Sequence, residues 1–109
     1  MSAAFDPTRD HRITREEAIG LVQTFHAQAG AGAHRASAFN RNAFEQLLAQ
    51  TGAAGIRIYL ARHGDGSPTM VMVAVDVEGK DMVGAQSVYI QNSTDCPPLC
   101  FGTTLATPL

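Results

Sequence analysis

The chain has 109 residues, 45% of them hydrophobic and 17% charged, which fits one globular domain with a modest core and excludes a disordered chain. Its formal net charge is −2, and Lys80 is the one lysine among eight basic side chains scattered along the sequence. No basic field therefore exists to hold nucleic acid or an anionic membrane surface.

Residues 1–13 are polar and read as a flexible N-terminal arm, with 14–109 forming a single α+β domain. The opening "MSAAFDPTRDHR" lacks the charged-then-apolar pattern of a leader, and no apolar run approaches membrane-spanning length, so a cytoplasmic location is expected. There, two cysteines are more often thiols than a structural disulfide. The stretch "TREEAIGLVQTFHAQAG" predicts a helix, because Thr14 and Glu17 have the spacing of a capping box. Ala18, Val22, Phe25 and Ala29 share one of its faces, and Gly30 stands where a helix would stop. "AGAGAHRAS" reads as a flexible connector. A second helix is predicted in "FNRNAFEQLLAQTG", with Asn40 or Asn42 as cap, Gly52 as terminator, and Phe44, Leu47 and Leu48 as its buried stripe.

The hydrophobic period then changes from about 3.6 to 2. "GIRIYLARH" alternates, with Ile56, Ile58 and Leu60 on one face and Arg57, Tyr59 and Ala61 on the other. "GDGSP" suits a hairpin loop. "TMVMVAVDV" is apolar on both faces from Met70 to Val75 and predicts a central strand. "EGKD" is a second turn, and a third strand is expected at Val88 to Gln91. The tail, "NSTDCPPLCFGTTLATPL", holds both cysteines and resists assignment.

The expected fold is therefore α+β: two N-terminal helices packed on an antiparallel sheet of about three strands, closed by a Pro/Cys-containing C-terminal strap. A central strand apolar on both faces needs cover on its second face, from the tail or from a partner subunit. A homodimer is expected on that ground.

Candidate sites compete with plainer readings. "DPTRDHRITREE" places Asp6, Thr8, Asp10 and Glu17 at ligand positions of a twelve-residue calcium loop. However, His11 occupies the position that wants glycine, no helix precedes the loop, and Arg9, Arg12 and Arg15 oppose a dication, so calcium is disfavoured. "GAGAHRAS" begins like a dinucleotide-binding turn, but it lacks the third glycine and follows a helix rather than a strand. None of His11, His26, His34 and His63 pairs with another at helical metal-ligand spacing. No Gly-x-Ser-x-Gly elbow supports a serine nucleophile, and Asp65, Asp76 and Asp81 sit where turns favour aspartate.

Cys96 and Cys100 leave three readings open: a disulfide or redox couple, a metal clip, and a stiff strap. As a redox couple the pair lacks the helix N-terminus that lowers a thiol pKa in the usual C-x-x-C motif, because prolines fill the middle. In an extended or polyproline segment their Cα atoms would lie about 12 Å apart, so a disulfide requires a sharp turn. Two thiolates are half of a zinc or iron site that His63 or a second subunit would complete. The plain reading is a stiff strap whose cysteines act as small buried hydrophobes. No cofactor is implied outright.

"GIRIYLARHGDGSPTMVMVAVDVEGKDM" followed by "CPPLC" resembles a family of small bacterial proteins with no assigned activity. Their pattern couples a helix like "ITREEA", a Gly-Ile-Arg-Ile-Tyr strand, a valine-rich strand ending in Val-Asp-x-x-Gly-x-Asp, and a terminal Cys-Pro-Pro-x-Cys. The resemblance covers most of residues 13–100 and carries no catalytic residues. It implies that the strands and the cysteine strap belong to one compact unit, and it lowers the calcium reading. The leading expectation is a non-catalytic domain acting through protein association, as a homo-oligomer. The alternatives are a thiol site at Cys96 and Cys100, binding metal or cycling between dithiol and disulfide, and a small-molecule-binding module.

Overall fold

A computed structural model describes residues 5–105. The chain divides into two compact units. One comprises residues 5–9 with Phe39–Ser93, and the other Asp10–Ala38 with residues 94–105.

In the first unit, helix α2 (Arg41–Leu48) precedes strands β2 (Gly55–Arg62), β3 (Pro68–Val75) and β4 (Tyr89–Ile90). The three strands form an antiparallel sheet in the order β2-β3-β4. Register follows from the hairpin at residues 63–67. There the His63 N–H donates to the Ser67 carbonyl at 2.8 Å, and Asp65 accepts from the Ser67 N–H at 2.9 Å. Gly66 supplies a φ of +90°, which a glycine adopts without steric cost. This sets Ile56 opposite Ala74 and Ile58 opposite Met72. Cross-strand partners share a face, so the alternating Ile56 and Ile58 extend the apolar surface of β3.

Helix α2 covers that surface. Asn40 caps it, accepting from the Ala43 N–H at 3.0 Å. Ala43 and Leu47, one turn apart, are buried against Met72 and Ala74, and Phe39, Ala53, Ile56, Met82, Val88 and Ile90 pack around them. The expected stripe was Phe44, Leu47 and Leu48, of which only Leu47 is buried; Phe44 and Leu48 lie one position round the helix and stay exposed.

In the second unit, helix α1 (Arg15–Gln28) is followed by strand β1 (Ala36–Ala38), which pairs antiparallel with β5 (Thr94–Cys96). The capping box at the start of α1 is formed. The Glu17 N–H donates to Thr14 Oγ1 at 3.1 Å, and the Thr14 N–H donates to Glu17 Oε1 at 2.9 Å. The helix ends through Ala29, whose backbone turns extended, so Gly30 is not needed as a left-handed terminator. No residue of α1 is buried.

These observations correct the expected fold. The protein is α+β, with two helices and two small antiparallel sheets of two and three strands. It does not carry a pair of N-terminal helices on one sheet. The first helix starts only at Arg15, the helices fall in different units, and β1 separates them in sequence. A strand of three residues begins at the end of the connector "AGAGAHRAS" and runs on to Ala38, and the tail supplies another of three. Both strands were invisible to pattern reading because three residues cannot show a period. No described helix is long and apolar enough to cross a membrane.

Candidate functional site

Three groups of side chains gather chemistry, each within one unit. The first lies on the sheet face opposite α2. Alternation along β2 puts Arg57 and Tyr59 on that face, and Asp81 reaches it from the β4 side of β3, through a bridge to Val75. Arg57 Nη1 lies 2.5 Å from Asp81 Oδ1, and Nη2 donates to the Gly79 carbonyl at 2.9 Å. The Tyr59 hydroxyl donates to Asp81 Oδ2. Both side chains of β2 thus reach across β3 toward Asp81, in the region of Val73 and Val75, which are only 3% and 1% exposed.

The second face of β3 is therefore buried at Val73 and Val75, while Val71 stays half-buried. Phe5 adds to the cover. A Cβ built on Gly55 would meet its ring at 2.9 Å and Val75 at 3.4 Å.

Each oxygen of Asp81 has a donor, so the cluster acts as a clasp rather than as an open acid or base. Its electrostatics follow from the contacts. Asp81 is held below the usual carboxylate range, chiefly by the Tyr59 hydrogen bond and then by Arg57. The Tyr59 hydroxyl is pushed above its usual range, chiefly because its proton is shared with Asp81. A depressed carboxylate adds stability above its unfolded pKa of about 3.9 and loses it as pH falls through the folded value. A raised phenol adds stability below its unfolded pKa of about 10 and loses it as pH rises through the folded value. Urea midpoints are expected to form a plateau between these limits and to decline on both sides. In Asp81→Asn both declines should shrink; a profile unchanged by that substitution would remove the clasp from the account.

The second group is the cysteine segment. The peptide bonds before Pro97 and Pro98 are cis. Cys96 and Cys100 form a disulfide, their Cα atoms 4.7 Å apart, well inside bridging range. Cys96 is 2% exposed, at the end of β5, whereas Cys100 is exposed. Closing so short a loop contributes about 2 kcal/mol by loop-closure entropy.

The third group adjoins it. His34 Nε2 lies 2.9 Å from Ser37 Oγ, and Ser37 donates to Asp95 Oδ1 at 2.6 Å. Ser37 and Asp95 are cross-strand partners in the β1–β5 ribbon. Because the serine proton goes to Asp95, His34 must donate to Ser37 rather than take its proton. A nucleophilic serine needs the opposite direction of transfer, so this string fastens the ribbon. Sequence reading could not find it, because Ser37 and Asp95 are 58 positions apart.

The residues of the disfavoured calcium-loop pattern bond to near neighbours in sequence. Asp6 accepts from Thr8, Asp10 pairs with Arg12 at 2.8 Å, and Glu17 caps α1. Asp6 and Thr8 fall in the first unit, Asp10 and Glu17 in the second. His63 lies in the β2–β3 hairpin of the first unit and the two cysteines in the second. Among the described residues, no three of His, Cys, Asp and Glu gather as a metal site.

One further surface matters. The His63 N–H bonds across the hairpin to the carbonyl of Ser67, the residue before β3, so by alternation the odd-numbered residues of β2 bond to β3. Ile56, Ile58, Leu60 and Arg62 direct their N–H and C=O groups to the outer edge. Among the described residues no strand pairs with that edge. Ile58, Tyr59 and Leu60 are consecutive and exposed, Leu60 at 83%.

Comparison with family models, curated proteins and solved structures found no match to this chain.

Proposed function

We propose that the chain is a non-catalytic association module that pairs with a second copy of itself through the outer edge of β2. The observation that carries this reading is the exposed run Ile58-Tyr59-Leu60 on a strand whose outer edge pairs with no other strand among the described residues. Such an edge is a template for another strand, and natural proteins usually guard it with charge, proline or a covering element. None of these occupies 58–60.

An antiparallel two-fold pairing centred on Tyr59 sets Ile58 opposite the partner's Leu60, and Ile56 opposite the partner's Arg62. All four residues with outward backbone groups then find partners, and two three-stranded sheets join into one. Each Ile58–Leu60 pair, apolar on both sides, contributes about 0.2–1 kcal/mol beyond the backbone bonds. The internal satisfaction of Asp81 and Ser37 supports a module without catalytic machinery. The resemblance to small bacterial proteins of the Cys-Pro-Pro-x-Cys pattern is part of the same proposal and adds no catalytic residue to it. The cytoplasmic location stays a proposal too, and the disulfide pulls the other way, because such bridges persist in oxidising compartments.

Sedimentation equilibrium at micromolar concentration tests the reading. The expected mass is twice the 11.6 kDa of the chain, and Leu60→Lys is expected to return it to one chain without changing the circular dichroism spectrum. A wild-type monomer, or a dimer indifferent to Leu60→Lys, would overturn it.

A further inference from the structure

The β1–β5 ribbon holds its last strand without help from the sulfurs. Ala36, Ser37 and Ala38 pair with Cys96, Asp95 and Thr94, and Ser37 donates to the Asp95 carboxylate. The Arg35 N–H donates to the Cys96 carbonyl at 2.7 Å, and the Leu99 N–H donates to the Asp95 carbonyl at 2.9 Å. The turn beyond the strand is thus closed by a backbone bond as well as by the disulfide, and the bridge duplicates constraints already present. A bond of that kind can open without taking the ribbon apart.

The two cysteine residues also differ in exposure. Cys96 is buried and fixed in register, while Cys100 is exposed and followed by Phe101, which is fully exposed. Thiol–disulfide exchange begins with a thiolate attacking one of the two sulfurs, and access helps decide which.

We propose that Cys96–Cys100 is a thiol–disulfide exchange site in which an external thiol attacks Cys100 and Cys96 is the resolving cysteine. The incoming thiolate forms a new S–S bond to Cys100 Sγ as the Cys96–Cys100 bond breaks, and the electron pair leaves on Cys96 Sγ. Two continuations follow. Cys96 thiolate can attack Cys100 Sγ, restoring the bridge and expelling the external thiolate. Alternatively, a second external thiolate attacks the external sulfur of the mixed disulfide and releases Cys100. In the second case two thiols become one disulfide, the protein bridge becomes two thiols, and the protons lost by the incoming thiols balance those gained by the protein. The ribbon keeps Cys96 in place through both states. The co-reactant is a free thiol, either a small molecule of the glutathione kind or a protein dithiol.

The test uses the whole chain. Folded wild-type protein is treated briefly with millimolar reduced glutathione, quenched in acid and mapped by mass spectrometry. A parallel sample receives a C-x-x-C dithiol protein whose second cysteine is serine, which traps a covalent complex. The adduct is expected on Cys100 at least tenfold over Cys96, and the arm that reacts identifies the source of the thiol. Single variants supply a second readout: Cys96→Ser should take up oxidised glutathione at least tenfold faster than Cys100→Ser, each checked for folding by circular dichroism. An even distribution, an excess on Cys96, or a bridge that both reagents open only in denaturant would overturn the proposal. The site is independent of the β2 edge, so a monomeric result there leaves this experiment unaffected.

Discussion

Replacing Leu47 by alanine is expected to cost about 2–5 kcal/mol of folding stability. Leu47 is fully buried and sits between α2 and the sheet, in contact with the cluster of Ala43, Met72 and Ala74. Truncation removes apolar contact and leaves a cavity, because the partners cannot all follow. Two features push the cost toward the upper part of that range. The helix has eight residues and fastens to the sheet through Ala43 and Leu47, its two buried positions. Ala43 has little side chain to compensate. A domain of this size has about 5–15 kcal/mol in total, so the variant should unfold at a much lower urea concentration. Leu47→Met, which keeps the volume, should cost less than about 1.5 kcal/mol. Equal losses for alanine and methionine would show that shape rather than volume governs the site.

Gly79→Ala is the second large effect. Gly79 closes the turn after β3 with a φ of +82°, a conformation in which a side chain costs about 1–2 kcal/mol. The space is also taken. A Cβ there would lie 2.4 Å from Phe5 Cβ and 3.1 Å from the base of its ring. Relief requires Phe5 to leave its place against Gly55, or the turn to shift. A shift of the turn would carry along the Gly79 carbonyl, which accepts from Arg57. Backbone strain and overpacking together are expected to cost roughly 2–4 kcal/mol.

A double-mutant cycle separates the two causes. Phe5→Gly removes the Cβ that clashes, so Gly79→Ala should cost less in that background, retaining only the strain of the positive φ. An identical cost in both backgrounds would mean that Phe5 does not constrain the turn. The clasp gives a second readout, because displacement of the Gly79 carbonyl should flatten the pH profile expected of Asp81 and Tyr59.

What the sequence by itself determined is local. Thr14 and Glu17, three apart, specify the start of α1, and for α2 the sequence narrows the cap to Asn40 or Asn42, of which the structure uses Asn40. These caps use a side chain and a backbone group within one turn, so spacing alone reveals them. The alternation of "GIRIYLARH", the turn residues of "GDGSP" and the unbroken apolar run of "TMVMVAVDV" likewise specify a hairpin with β3 inside the sheet. A period of 2 and a loop fix which residues face together.

The tertiary structure decided everything that depends on distant partners. Asp81 looks like a turn former, and only the register of β2, β3 and the following turn brings it to Arg57 and Tyr59. That same placement buries Val73 and Val75 on the second face of β3. Ser37 and Asp95 meet because two three-residue strands pair, and neither strand has enough length or apolar contrast to announce itself. The disulfide depended on a turn that the prolines left open in the sequence. Local physics sets caps, periods and hairpins, whereas strand partners between remote segments are chosen by packing and by the need to satisfy backbone groups. The clasp, the ribbon and the cysteine bridge all belong to that second kind.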